Sequence, residues 1–240
     1  MKLEVEKAKR LFILWAETER FEQKVAEAKQ IIESALARYN KPYVAFSGGK
    51  DSTVMLHLVL QYKPDVMVFL WDYGKYLLPR KIFKEILNIA DTLKAHNLRI
   101  ETTNAYLLLK DKAHNIKGSV LLEHIIPSLK NIEGYDCVFV GLREEESLKR
   151  RRRMHAQKNI TCIPEVWPLA TWRWLDIWAY IFKHNLPYIS IYNLYGPLVG
   201  WDKARFVSFF DHDFDHLGAS NVDSFLMWKF KHEDRRDNTK

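Results

Sequence analysis

The sequence predicts an α/β fold: a doubly wound, mostly parallel sheet with helices on both faces, preceded by helices and followed by an irregular C-terminal cap. Three observations predict it. Short apolar runs alternate with amphipathic runs of helical period from Tyr43 to His184. The hexapeptide Ser47-Gly48-Gly49-Lys50-Asp51-Ser52 stands between a strand-like run and a helix-like run. The 240 residues, 48% hydrophobic and 13% aromatic, suffice for one α/β domain with a sizeable core.

Residues 3 to about 39 read as helix. Leu11, Leu14, Trp15, Phe21, Val25, Ala28, Ile32, Ala35 and Leu36 recur at three-to-four spacing, opposite a face rich in Glu and Lys. One helix, or two with a break near Thr18, fits this pattern. Its expected role is packing against the core or against a second copy of the chain. From Tyr43 the alternation begins. Val44–Phe46 is a strand that enters the glycine turn, and Thr53, Val54, Met55, Leu56 and Leu58 continue as helix. Val66–Trp71 is a second strand, Arg80 to His96 an amphipathic helix, and Leu98–Thr102 a third strand. Ser119 to Leu129 reads as helix, Cys137–Gly141 as a strand ending in glycine, and Leu175 to His184 as a further helix.

Strands alternating with helices build parallel sheets covered on both faces, and such sheets bind ligands at the carboxyl ends of their strands. Ser47, Asp72 and Gly141 all fall at those ends and are expected to converge. The expected organisation is a helical segment over 1–40, a nucleotide-binding domain over 41–194 and a cap with a charged tail over 195–240.

Composition narrows the chemistry. No apolar run is long enough to span a bilayer, and Met1-Lys2-Leu3-Glu4 is unlike a secretory signal, so a cytoplasmic protein without a membrane partner is expected. The two cysteines, Cys137 and Cys162, lie among apolar neighbours and are expected to be buried. With no CxxC pair there is no expected zinc site or iron–sulfur cluster. The net charge of +7 suits anionic ligands. Much of it sits in Lys149-Arg150-Arg151-Arg152-Arg153, which reads as a nucleic-acid patch, a phosphate cluster or a solvated turn.

The glycine turn is the strongest chemical signal. Two glycines let the backbone approach an anion and aim successive N–H groups at it. The following helix adds free amides and the positive end of its dipole. Lys50 adds a cation, and Ser47 and Ser52 add hydroxyls. The spacing is not that of the Walker loop, because Val44 stands where its first glycine belongs and Asp51 follows Lys50.

Further motifs follow in order. Asp72-Tyr73-Gly74 and Leu78-Pro79-Arg80 come after the second strand. Gly141-Leu142-Arg143, Ser147 and Arg150 come after the later one. Pro168-Leu169-Ala170, Trp178-Ala179-Tyr180-Ile181 and His184-Asn185-Leu186-Pro187-Tyr188 close the series. Together with the SGGKDS loop these resemble the phosphoadenylyl-sulfate (PAPS) reductase family, over roughly residues 41–192. That family belongs to the Rossmann-like adenine nucleotide alpha hydrolase superfamily and also holds sulfate adenylyltransferase small subunits and FAD synthetases.

The resemblance implies that Ser47, Gly48, Gly49, Lys50, Asp51 and Ser52 bind the nucleotide's phosphates. It implies that Asp72 and Gly74 lie beside the adenine and ribose. Gly141 and Arg143 would hold the adenosine end or its phosphates, and Ser147 and Arg150 the anionic end. Glu144 to Glu146 read as partners of Arg151, Arg152 and Arg153. The implied ligand is ATP or an adenylyl nucleotide, adenylyl sulfate and PAPS included, with Mg²⁺ beside it.

Two departures shape the expected reaction. The family's reductases carry a cysteine in a C-terminal segment, whose thiolate attacks sulfur, and no cysteine follows Cys162 here. The D-T-G…F-P-E-T segment is altered to Asp72-Tyr73-Gly74…Leu78-Pro79-Arg80. The leading expectation is therefore adenylyl transfer or cleavage at the α-phosphate to an unspecified acceptor, with Lys50, Arg143 and Mg²⁺ stabilising the developing charge. The alternatives are a PAPS or adenylyl-sulfate reductase with its thiol supplied from outside, and a nucleotide-binding module acting on nucleic acid or a partner protein. Trp167, Trp172, Trp174, Trp178 and Trp201 suit a core better than a base-stacking platform, at least at Trp178. His212-Asp213-Phe214-Asp215-His216 suits an exposed cap better than a metal site.

Overall fold

The computed structural model describes residues 2–72, 78–102, 124–204 and 206. Within them the chain opens with α1 (Lys2–Ala16) and α2 (Glu19–Arg38). The break falls at Thr18, whose side chain accepts the Phe21 N–H and caps the second helix. The pattern then alternates: β1 (Pro42–Phe46), α3 (Lys50–Leu60), β2 (Met67–Asp72), α4 (Arg80–Thr92) and β3 (Leu98–Thr102). It continues with α5 (Ile126–Asn131), β4 (Cys137–Val140), a 3₁₀ turn (Glu144–Glu146) and α6 (Leu148–His155). β5 (Glu165–Val166), α7 (Trp174–Lys183) and α8 (Ile191–Val199) complete it.

The five strands pair in the order β3-β2-β1-β4-β5, every neighbour parallel. The connections run outward from β1 in one direction through β2 and β3, and in the other through β4 and β5. The reversal point lies between β1 and β4, which is where a doubly wound sheet opens a crevice at its carboxyl edge.

Alternation along the strands explains why both faces are covered. Val44 and Phe46 of β1, Val68 and Leu70 of β2 and Phe139 of β4 point into the larger core, with side chains of α2, α3, α4 and α7. Tyr43, Met67, Phe69, Trp71 and Val138 point the other way, onto Ile126 and Leu129 of α5 and Ile163. β2 is buried along its whole length, as a central strand between two apolar layers must be.

The N-terminal helices are fastened to this sheet through α7. Phe12 stacks on Phe182 with ring centroids 5.5 Å apart and meets Trp201 edge-on at 5.6 Å. Beneath them Asp176 is fully buried. Its carboxylate accepts the Trp15 indole N–H at 2.7 Å, pairs with the Lys24 ammonium at 2.9 Å and accepts the Arg173 backbone N–H at 2.6 Å. A buried charge is tolerated only when paired and hydrogen-bonded in this way.

Four sequence expectations need correction. Leu11 and Leu14 are 64% and 61% exposed, because α1 buries Val5, Phe12 and Ala16 and turns those leucines away. The helix from Arg80 ends at Thr92, since Leu93 caps it and Lys94 takes a left-handed φ of 60°. Cys162 is exposed while Cys137 is buried. Regular structure persists past Tyr195, because α8 runs through it with Pro197 inside and stops at Gly200, whose φ is +97°. The segment 212–216, and the Ser119 end of the expected helix, lie outside the described residues.

A half-buried polar group lies where α3 meets α7. His57 Nδ1 lies 3.0 Å from the Tyr180 hydroxyl, and the His57 and His184 rings are 5.4 Å apart. Burial, then the charges of His184 and Lys29, push the His57 imidazole down to about 4.

Asp176 and His57 each give a prediction. Asp176→Ala strands Lys24 and the Trp15 N–H, so urea unfolding should show a loss of about 3–5 kcal/mol. A loss under about 1 kcal/mol would show that Asp176 does not fasten the helices. For His57, the unfolded chain takes up a proton near pH 6.5 and the folded chain only near pH 4. Its contribution is therefore complete above pH 6.5 and declines as the pH falls toward 4. Urea-derived stability measured from pH 7 to 5 should decline less steeply in His57→Gln than in the parent.

Candidate functional site

The site grows out of the turn after β1. Ser47 leaves the strand, Gly48 bends at a φ of +78°, and Gly49 caps α3 in an extended conformation. Gly48 is required twice over: its φ is left-handed, and an added Cβ would lie 2.4 Å from Ile86 of α4. The turn is braced by its own hydroxyls. Ser47 N–H donates to Ser52 Oγ at 3.3 Å, the two serine oxygens are 3.1 Å apart, and Gly49 N–H reaches Ser47 Oγ at 3.4 Å. Ser52 and Thr53 hydroxyls both donate to the Gly49 carbonyl at 3.0 Å. Amides at the start of α3 thus face the crevice with the positive end of the helix dipole behind them.

Lys50 is 2% exposed. Its ammonium lies 3.1 Å from Asp51 and 5.7 Å from the centre of the Tyr192 ring. Asp51 also accepts from Arg143 Nε, so one carboxylate is held between two cations. Burial alone would raise the Asp51 carboxyl, but the Arg143 and Lys50 charges prevail and hold it well below the usual carboxylate range. Burial pulls Lys50 below the ordinary lysine value; Asp51 opposes this and Arg143 adds to it.

Arg143 reaches Asp51 because Gly141 brings the end of β4 against α3. A Cβ at Gly141 would stand 2.9 Å from the Asp51 carbonyl oxygen and 3.1 Å from Ser52 N, both backbone atoms. The carboxyl ends of β1 and β4, on either side of the reversal point, are therefore joined through Gly141 and the Asp51–Arg143 pair.

Beyond Arg143 the acidic turn is spent on the arginines. Arg143 donates to Glu145 at 2.7 Å, which also accepts the Trp174 N–H at 2.6 Å. Glu146 accepts the Arg143 N–H at 3.2 Å and pairs with Arg150. Ser147 caps α6 by accepting the Arg150 N–H at 3.1 Å. The basic run is thus helix, not a turn: Arg150 is buried, Arg153 pairs with Glu165, and Lys149, Arg151 and Arg152 face outward. Lys50, Arg143 and Arg150 are balanced by Asp51, Glu145 and Glu146. Of these carboxylates Glu145 is the most exposed, at 36%.

Asp72 ends β2 at the same edge. It forms a two-pronged pair with Arg80, both bonds 2.7 Å, and Arg80 also donates to the Leu78 carbonyl at 3.1 Å. A guanidinium fork matched to a carboxylate is geometrically specific. Gly74 lies outside the described residues. The sequence reading placed Arg80 only as a departure from a motif and did not see it as the partner of Asp72. It missed Tyr192 altogether, whose hydroxyl accepts the Lys50 N–H at 3.4 Å from 142 residues away.

Neither cysteine is near this edge. Cys137 opens β4 at the opposite end, about 10 Å from Val140 at strand rise, and burial pushes its thiol up to about 12. Cys162 precedes β5, and its carbonyl accepts from Lys130 at 2.7 Å. Trp172, Trp178 and Trp201 are buried in the core. Among the described residues no three His, Cys, Asp or Glu side chains converge as a metal set. Asp51, already held by two cations, does not fit a resident Mg²⁺. No helix among the described residues is long and apolar enough to cross a membrane.

Comparison with known proteins gives a consistent result. The sequence model of the phosphoadenosine phosphosulfate reductase domain matches residues 41–218. The chain is 27% identical over 184 residues to an adenosine 5'-phosphosulfate reductase of Geobacillus thermodenitrificans, covering 72% of this chain and 77% of that one. It is 27% identical over 198 residues to the corresponding reductase of Bacillus cytotoxicus, covering 78% and 82%. A PAPS reductase structure from Candida auris, in a phosphate complex, aligns over 79% of this chain and 91% of its own, with 17% identity and a TM-score of 0.48.

The Gly141 contact gives a direct test. Gly141→Ala must push β4 from α3 and part Arg143 from Asp51. It should lower stability by about 1–3 kcal/mol, read by thermal melting. A parent-like melt would show that this junction tolerates a wider gap.

Proposed function

The chain belongs to the phosphoadenosine phosphosulfate reductase domain family, and on that premise we propose that it binds an adenylyl-sulfate-type nucleotide and acts on it as an oxidoreductase. The observation that carries this reading is the pair of buried cations, Lys50 and Arg143, beside the amide-lined start of α3 at the sheet's reversal point. Ser47, Gly48, Gly49, Lys50, Asp51 and Ser52 would hold the phosphate. Asp72, Gly74 and Gly141 would border the adenosine. Arg143, Ser147 and Arg150 would face the sulfuryl end, with Glu145 and Glu146 yielding their guanidinium bonds to the ligand's oxygens.

The thiol in this reading is an external dithiol, because Cys137 is buried with a raised thiol and both cysteines lie away from the cleft. One thiolate forms a bond to the sulfuryl sulfur while the sulfur–oxygen bond to the phosphate breaks and AMP leaves. The second thiol then attacks the first sulfur. A disulfide forms and sulfite departs with the electron pair, so sulfur is reduced and the dithiol oxidised. The cation-lined site would stabilise the phosphate charge that grows as AMP leaves.

A second reading is favoured by the same cysteine placement: adenylyl transfer from ATP, with Mg²⁺ arriving on the triphosphate and no side chain needed as covalent nucleophile. Parallel incubations separate the two. Adenylyl sulfate with dithiothreitol should yield AMP and sulfite in equal amounts, and should do so equally in the Cys137→Ser, Cys162→Ser double variant. Absence of sulfite, together with pyrophosphate release from ATP, Mg²⁺ and sulfate, would replace the reductase reading by the transferase one.

A further inference from the structure

We propose that Tyr192 is a ligand-binding residue of the phosphate loop, its hydroxyl donating to the phosphate oxygen that the Lys50 amide also binds. This rests on the reading of the loop as the seat of a nucleotide's phosphate arm. Tyr192 lies in α8, outside every motif in which a phosphate contact is legible. Its hydroxyl nevertheless stands 3.4 Å from the Lys50 nitrogen, at the first residue of α3. A Cβ on Gly49 would lie 3.9 Å from the same oxygen. The hydroxyl therefore hangs over the turn's anion-facing amides.

Three properties make it a ligand contact and not only a cap on the turn. At 3.4 Å the amide bond is longer than a good N–H···O bond of about 2.7–3.2 Å. A charged phosphate oxygen is the stronger acceptor and can share that N–H as a second, nearer partner. A phenol both accepts and donates, so the hydroxyl, staying beside the amide, can give its proton to the same oxygen. It also cannot swing away. The ring is 2% exposed and sits edge-on against Trp178, 5.1 Å between centroids and 82° between planes. The ring face toward Lys50 holds that ammonium at the base of the loop.

Tyr192→Phe isolates the hydroxyl, since it keeps the ring packing and the contact with Lys50. The parent and the variant are titrated calorimetrically with AMP, inorganic pyrophosphate and adenosine, and their melting temperatures are compared. The variant should melt with the parent and bind adenosine equally, but bind AMP and pyrophosphate about ten-fold more weakly or worse. Parent-like or tighter anion binding overturns the inference and leaves the loop's role intact. If the parent binds neither anion, the phosphate reading fails and this inference with it. A second measurement uses the parent alone: in spectra of tyrosine-labelled protein, saturating pyrophosphate must shift the Tyr192 resonance, and an unmoved resonance overturns the assignment.

Discussion

Asp51 is a carboxylate shared between Lys50, its neighbour in the chain, and Arg143, which arrives from the far side of the sheet's reversal point. The rest of the cleft depends on that sharing. With Lys50 2% and Arg143 1% exposed, removing Asp51 would take a carboxylate partner from two buried cations at once. Such a pair adds little net stability when complete and costs several kcal/mol when broken. Its effect is therefore positional. It holds the start of α3, and with it the amides of the glycine turn, at one distance from the end of β4. Gly141 makes this geometry reachable, because only a residue without Cβ lets two backbones meet so closely.

The scaffold around this pair is arranged to keep it still. β1 is gripped on both faces, by Val44 and Phe46 in one core and Tyr43 in the other. α7 stands behind α3 and carries three loads. It buries Trp178, it anchors the N-terminal helices through Asp176, and it supports α8, whose Tyr192 returns to the loop. The helices outside the alternating pattern are thus coupled to the cleft by a short chain of contacts. Arg143, Glu145 and the Trp174 N–H extend the same chain from the charged cluster to the first residue of α7.

Much of this was readable from residues alone. The turn between an apolar strand and a helix was legible as an expected anion cradle, because glycine, lysine and hydroxyl side chains fall together there. Period-two and period-3.6 patterns located four of the five strands and most helices, but not the two-residue strand Glu165–Val166. The acidic turn was legible as a partner of arginines, but Glu145 and Glu146 pair with Arg143 and Arg150 and not with the expected Arg151, Arg152 and Arg153. Other features were not. Leu11 and Leu14 fit a helical stripe, yet the buried side of α1 is set by where Phe12 meets α7. Cys162 has apolar neighbours in sequence, but neighbours in sequence do not decide exposure outside a regular element. Arg80 was visible only as an unexpected residue, since the fork with Asp72 depends on the path of the chain between them.

The sequence by itself determined the class of sheet, the glycine turn and the family. These are properties of local spacing: which residue types adjoin, and with what period. Tertiary structure alone decided that Asp51 serves two cations, that the cysteines lie at the far end of the sheet, and that Tyr192 reaches Lys50 across 142 residues. Each of these is a meeting of segments remote in the chain. The order of the strands and the packing of α7 and α8 bring them together, and no local pattern encodes that distance.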